Sequence, residues 1–343
     1  MEDDLLPTPN SDPAELLRRR DGIYAADLLV CAAGELHFFD WLAGHPSRLP
    51  EICRGLALAE RPADVMLALF ASMGLVEREG ERFRVTDLAR DFLNDGSRFD
   101  LGPYFATMKE RPACGEILEV LRTGKPTSWG SKPGGDEWTR AIEDADVARS
   151  FTAAMDGRGA YLAPPLATKL DLSGRASLLD IAGGSGIYAC AIAAKHRGLK
   201  ATVLEKPPVD AIARKAIDRC GMADRVSAAS GDMFADLPEG HDVHLYSNVL
   251  HDWGEDAVRG LLRSSFDALP ADGMVAIHDA HLNEEKTGPL PVAEYSVLLM
   301  CSTEGKCYSA GEIRAALEET GFTGVRLDPT VAWRSVVTAT RPA

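Results

Sequence analysis

No run of apolar residues in this sequence is long enough to cross a membrane, and the N-terminus, Met1-Glu2-Asp3-Asp4, is acidic where a secretion signal would be basic. The expectation is a cytoplasmic chain with no membrane partner. Paired cysteines are missing as well. The seven cysteines, Cys31, Cys53, Cys114, Cys190, Cys220, Cys301 and Cys307, are odd in number and none stands in Cys-x-x-Cys spacing, which points to free thiols in a reducing compartment and away from a zinc knuckle. Basic residues are in deficit: 37 Lys and Arg against 52 Asp and Glu leave a formal net charge of −15. The deficit holds over residues 1 to 100, with 11 basic against 19 acidic side chains. Phosphate backbones require the opposite sign, so nucleic acid is not an expected partner. Internal repeats and low-complexity segments are also absent.

What is present is an ordinary globular balance, 45% hydrophobic and 26% charged, in 343 residues, too many for one typical core. The most informative stretch is Leu178 to Gly186. Leu178-Leu179-Asp180-Ile181 reads as a buried strand ending at a carboxylate, Ala182-Gly183-Gly184-Ser185-Gly186 as a glycine loop, and Ile187 to Ala194 as the helix that follows. The same letters satisfy a dinucleotide fingerprint, Gly184-x-Gly186-x-x-Ala189. Asp180 argues for another ligand, because a carboxylate there would repel a pyrophosphate and attract the ammonium or sulfonium of S-adenosylmethionine (SAM).

Two more acids fall at strand ends. Glu205 closes Ala201-Thr202-Val203-Leu204 at the spacing from the loop where a carboxylate accepts hydrogen bonds from ribose hydroxyls. Arg225 to Gly231 leads to Asp232-Met233-Phe234, an acceptor for an adenine amine beside an apolar platform. Each acid alone also reads as a helix cap, a solvated loop charge or a turn former. A fourth strand, Val243-His244-Leu245-Tyr246, runs into Ser247-Asn248-Val249-Leu250-His251-Asp252-Trp253. Met274 to Ile277 forms a fifth, ending at His278-Asp279, and Val325-Arg326-Leu327 and Ser335 to Ala339 supply an antiparallel tail. The fold expected is α/β, a doubly wound, Rossmann-like sheet whose antiparallel end differs from the second mononucleotide half of a dehydrogenase.

Upstream, Ala63 to Val85 has the shape of a helix followed by a hairpin wing, with Met66, Leu69, Phe70 and Met73 on one face and a turn at Glu79-Gly80-Glu81. The apolar residues between Tyr24 and Ala43 exceed what one small domain readily buries. Pro103 to Leu121 reads as helical, Lys125 to Gly135 as a flexible connection, and Ala148 to Met155 as a helix.

The order of glycine loop, Glu205, Gly231-Asp232-Met233-Phe234 and Asn248-Val249-Leu250-His251-Asp252-Trp253 resembles the class I SAM-dependent O-methyltransferase family, over nearly the whole chain. The resemblance implies a mostly helical winged-helix dimerisation domain over 1–100, a helical, pocket-lining region over 101–165 and a SAM-binding domain over 166–343, assembled as a homodimer. It implies methyl transfer to a hydroxyl of a small aromatic or polyketide-like secondary metabolite, with His251 as base and Asp279 orienting it. Asp180, Gly183, Gly184, Gly186, Glu205, Asp232, Met233, Ser247 and Trp253 would hold the cofactor. Phe105, Met108, Phe151, Met155, Asn248, Tyr295, Leu298, Met300 and Cys301 would line the acceptor pocket, an apolar and aromatic set suited to a planar molecule.

The sequence also departs from the family. Asp279 is one methylene shorter than the usual Glu, and a second carboxylate position falls on Cys307 in Gly305-Lys306-Cys307-Tyr308, leaving Glu304 as a neighbouring substitute. Ala182 stands where the family often has glycine, a change that expects ordinary backbone angles. Other readings stay open: C-methylation or a repurposed reaction supported by a metal among His251, Asp252, His278, Asp279 and His281, and a SAM-binding regulator. No metal is expected, since His278-x-x-His281 at a strand end fits helix-borne ligand spacing poorly.

Overall fold

The structure is a computed structural model, and it describes residues 6–127 and 140–343. The connection expected over Lys125 to Gly135 lies mostly outside the described residues. The chain gathers into two compact units, one from Met1–Glu15, Asp136–His281 and Ala310–Ala343, the other from Leu16–Gly135 and Leu282–Ser309. This division differs from the linear partition at 100 and 165, because residues 282–309 join the N-terminal helices.

In the second unit the helices are α1 (Ala14–Asp21, entered from the other unit), α2 (Ala25–Gly34), α3 (Phe38–Gly44), α4 (Leu49–Leu56) and α5 (Glu60–Ser72). The hairpin β1 (Val76–Glu79) and β2 (Arg82–Val85) follows α5, the helix and wing expected from the sequence. Then come α6 (Asp87–Phe92), α7 (Gly102–Ala106) and α8 (Pro112–Thr123). Pro103 to Leu121 is therefore two helices, broken where Arg111 is held extended before Pro112.

The apolar residues of 24–43 meet a different fate from the one expected. Leu28, Cys31, Phe38, Phe39 and Leu42 are buried inside their own unit, where Phe38 and Phe39 pack on Phe70 with ring centroids 5.1–5.5 Å apart. The argument for excess apolar surface there is corrected, because α13 (Leu290–Ser302), from later in the chain, helps cover these helices. Its segment is fastened to α5 by Asp64, which accepts from Lys286 Nζ at 2.8 Å and from Lys306 Nζ at 2.7 Å.

The first unit holds a seven-stranded sheet in the order β5-β4-β3-β6-β7-β9-β8. Its strands are β3 (Ser177–Ile181), β4 (Lys200–Glu205), β5 (Val226–Ser230), β6 (Val243–Ser247), β7 (Met274–Asp279), β8 (Thr323–Pro329) and β9 (Ser335–Thr340). The first five are parallel, and β9 runs antiparallel to both β7 and β8. The parallel core explains why β3 and β7 read as unbroken apolar runs: they are covered on both faces. The helices are α9 (Ala145–Lys169), α10 (Ile187–Lys195), α11 (Val209–Arg219), α12 (Glu255–Ala268) and α14 (Ala310–Thr320). No single helix among the described residues is long and apolar enough to cross a membrane.

Candidate functional site

Strand β3 delivers Asp180 to the carboxyl edge of the sheet, the edge where open α/β sheets bind ligands. The loop then doubles back over it. A Cβ on Gly183 would lie 2.5 Å from the Asp180 carboxyl carbon, so no larger residue fits between the loop and this acid. Gly184 and Gly186 have φ of 60° and 81°, the left-handed region. Ala182 is there too, at φ 53°, which corrects the expectation of ordinary angles: its N–H donates to Leu204 O at 2.9 Å while the chain turns above Asp180. The Asp180 carboxyl is wholly buried, and among the described residues neither oxygen completes a hydrogen bond, although the Ala189 amide faces it. Burial pushes its pKa up to about 7. A buried acid with open acceptor sites under a glycine loop fits a cationic ligand and suits the ammonium or sulfonium of SAM.

Glu205, at the end of β4, reaches across to the same loop, accepting from the N–H of Gly184 at 2.9 Å and of Lys206 at 3.0 Å. Burial outweighs those bonds and raises its pKa to about 7. Asp232 follows β5. Burial would raise its pKa, but Lys206 Nζ at 2.7 Å and the Phe234 N–H at 3.0 Å hold it below the ordinary value. Phe234 meets Trp253 edge to face at 4.7 Å, and Met233, half-buried, lies between Asp232 and Phe234 in sequence. Lys206 was missed by sequence reasoning, having no signal beyond its place beside Glu205.

Ser247 and Asn248 belong to a polar network. Ser247 Oγ lies 2.9 Å from His278 Nδ1, and Asn248 Nδ2 donates to Tyr188 OH at 3.1 Å and to Ser247 Oγ at 3.2 Å. Asn248 thus points its amide at α10, and its buried Oδ1 has no hydrogen bond among the described residues. Burial drives the His278 pKa down to about 3, which keeps the ring neutral. Tyr188 and Arg158, whose charge acts on both Tyr188 and His278, were not singled out in the sequence.

A short 3₁₀ turn, Leu250–Asp252, places His251 against the end of β7. His251 Nδ1 lies 2.6 Å from Asp279 Oδ1, with both residues buried. Burial would raise the Asp279 pKa, yet His251 and the Ala280 N–H, 2.8 Å away, hold it well below the carboxylate range. An ionised carboxylate only accepts, so Nδ1 is the donor in this contact, and Nε2 lies 3.7 Å from Asp252 Oδ1. His281 is buried beside them with Nδ1 2.8 Å from Ser335 Oγ, its pKa driven down to about 4 chiefly by burial. Among the described residues no group of three His, Cys, Asp or Glu is arranged to hold a metal.

The acceptor candidates divide between the units. Phe151 and Met155, four residues apart on α9, and Asn248 lie in the first. Phe105 is half-buried and Met108 exposed in the second, where Tyr295, Leu298, Met300 and Cys301 are all buried on α13. Helical spacing puts Met300 on the side of α13 opposite Leu298. Cys307 is buried in the second unit, its N–H donating to Ser296 Oγ at 3.0 Å, and Glu304 is exposed.

The chain is similar to known proteins over most of its length. The O-methyltransferase domain family matches residues 115–323. A 3-hydroxy-5-methyl-1-naphthoate 3-O-methyltransferase of Streptomyces sahachiroi is 33% identical over 93% of this chain and 92% of its own. The tetracenomycin polyketide synthesis 8-O-methyl transferase of Streptomyces glaucescens is 29% identical over 92% of each. Among solved structures, an O-methyltransferase family 2 protein from Planctomyces limnophilus, in complex with apigenin, superposes with a TM-score of 0.89 at 31% identity, covering 98% of both chains. Sequence, fold and loop geometry agree: the chain belongs to the O-methyltransferase family and is a SAM-dependent O-methyltransferase.

Proposed function

We propose that this enzyme methylates a phenolic hydroxyl of a planar aromatic or polyketide acceptor, with His251 as general base and Asp279 as its orienting partner. The observation that carries the reading is the buried pair at 2.6 Å, which leaves Nε2 as the basic atom. SAM, when bound, supplies an electrophilic methyl and its own leaving group. The chain's task is to align the acceptor and take its proton. His251 takes that proton at Nε2, and Asp279 stabilises the resulting imidazolium without itself becoming protonated. With Cys307 unable to act as a carboxylate, Asp279 serves alone. Asp180 and Glu205 receive the charged and ribose portions of the cofactor, while Asp232, Met233 and the Phe234–Trp253 pair receive the adenine.

The names of the relatives, a naphthoate and a polyketide methyltransferase, support a hydroxylated fused-ring acceptor. A screen of hydroxynaphthoates, flavonoids and simple phenols with methyl-labelled SAM tests this. Label should appear as an aryl methyl ether on a polycyclic phenol; transfer confined to carbon or nitrogen would overturn it.

The enzyme also works as a homodimer in this reading. On the second unit Phe99 (60% exposed) lies 6.2 Å from Phe92, Leu101 (43%) donates its N–H to Phe92 O, and Tyr104 (74%) is exposed three residues on; exposed apolar residues of this kind are what a second copy would cover.

A further inference from the structure

Helix α9 reaches the glycine loop through a polar contact that the assignment above leaves unused. Ser185, between Gly184 and Gly186, donates its hydroxyl to Asp156 Oδ1 at 2.5 Å. One turn on, Gly159 is buried against the start of α10, where a Cβ would come within 2.8 Å of Ile187 Cγ2. Asp156 and Gly159 are three residues apart and share a side of α9, so the helix is seated on the loop and α10 at two consecutive turns. Met155 lies four residues before Gly159 and Phe151 four before that, so both run along the side of the helix that Gly159 shares.

The loop needs such fastening. Ala182, Gly184 and Gly186 all adopt left-handed angles, and the backbone is held by Ala182 N–H to Leu204 O, Gly186 N–H to Gly183 O and Gly184 N–H to Glu205. None of these bonds restrains the Ser185 side chain, which Asp156 holds. Burial raises the Asp156 pKa, while the Ser185 bond and the charge of Arg219 work to keep it ionised.

We propose that Asp156 is a positioning residue for methyl transfer: acting through Ser185, it fixes the glycine loop in the shape that receives SAM and ties cofactor binding to the helix that carries Phe151 and Met155. The inference rests on the assignment of the loop to the cofactor. A loop fixed in advance loses less freedom when ligand binds, so releasing it weakens affinity without touching the proton transfer.

Calorimetric titration of the full-length protein with S-adenosylhomocysteine and SAM tests this, alongside steady-state kinetics and thermal melting of each variant. Asp156→Ala should weaken both ligands and raise the KM for SAM by about tenfold, with kcat changed by no more than about twofold. Asp156→Asn, whose Oδ1 still accepts the serine proton, should restore affinity to within about threefold of the parent. Ser185→Ala should match Asp156→Ala, and the double variant should be no weaker than either single, since all three remove one bond. Glu205→Ala in the same series reports on the cofactor site itself. Parent-like affinity in Glu205→Ala would overturn the cofactor assignment and this inference with it. Loss in Glu205→Ala beside parent-like affinity in Asp156→Ala, or additive losses in the double variant, would overturn the inference alone.

Discussion

Asp180 shows how far one residue can be interpreted from its surroundings. Its folded pKa of about 7 lies above that of an unfolded aspartate, near 3.9, and the same holds for Glu205. Such acids contribute stability that is fully present below about pH 4 and is lost as pH rises through about 7. A cation beside them reverses the preference, since it binds the ionised form. SAM affinity should therefore rise about tenfold between pH 6 and pH 8 for Asp180 alone, with proton release visible as a buffer-dependent heat. Asp180→Asn should flatten that profile and weaken binding at pH 8 by about 1–3 kcal/mol, measured by titration calorimetry. The sequence displays Asp180, Glu205, His251 and Asp279 because each closes a strand or a turn of recognisable pattern. Lys206, Arg158 and Asp156 leave no such trace: a lone charge in a loop or helix acquires meaning only from what folds against it.

The glycine loop is the element on which the site turns, and its conformation was only partly legible. Glycines at 184 and 186 announce left-handed angles, whereas Ala182 conceals one, because its φ of 53° is imposed by the Leu204 hydrogen bond and by the turn over Asp180. Alanine in that region is strained by roughly 1 kcal/mol relative to glycine. Ala182→Gly should accordingly stabilise the folded chain by about 0.5 kcal/mol in denaturant titration, the strain relieved exceeding the freedom that glycine adds to the unfolded chain. An unchanged or lower midpoint would place the strain elsewhere. The sheet was legible strand by strand, since buried parallel strands are short continuous apolar runs between loops and amphipathic helices. Helix α13 was not, because apart from Glu294 its residues are uncharged and mostly apolar all round, with no periodic face to show what it packs against.

At the scale of the whole molecule the division of the chain is only partly legible, because the compact units exchange segments at residues 15, 281 and 309 as well as at 135, and of these the change at 135 follows the Gly- and Pro-rich stretch 125–135. The proposed homodimer rests on the exposed apolar residues around Phe99 and Tyr104. Light scattering should report twice the chain mass of 36.9 kDa, and charged substitutions at both positions should yield monomers that still bind SAM. A parent protein that stays monomeric at micromolar concentration would remove the dimer. The central claim is that this molecule moves a methyl to oxygen by drawing a proton onto His251, and single-turnover methylation of a hydroxynaphthoate by His251→Ala tests it most directly. The account predicts a rate lower by about 10²–10⁴-fold with S-adenosylhomocysteine affinity unchanged, and a smaller loss in Asp279→Asn. A His251→Ala enzyme keeping more than about a tenth of the parent rate would contradict it, since general-base catalysis of the size invoked here could not then be operating.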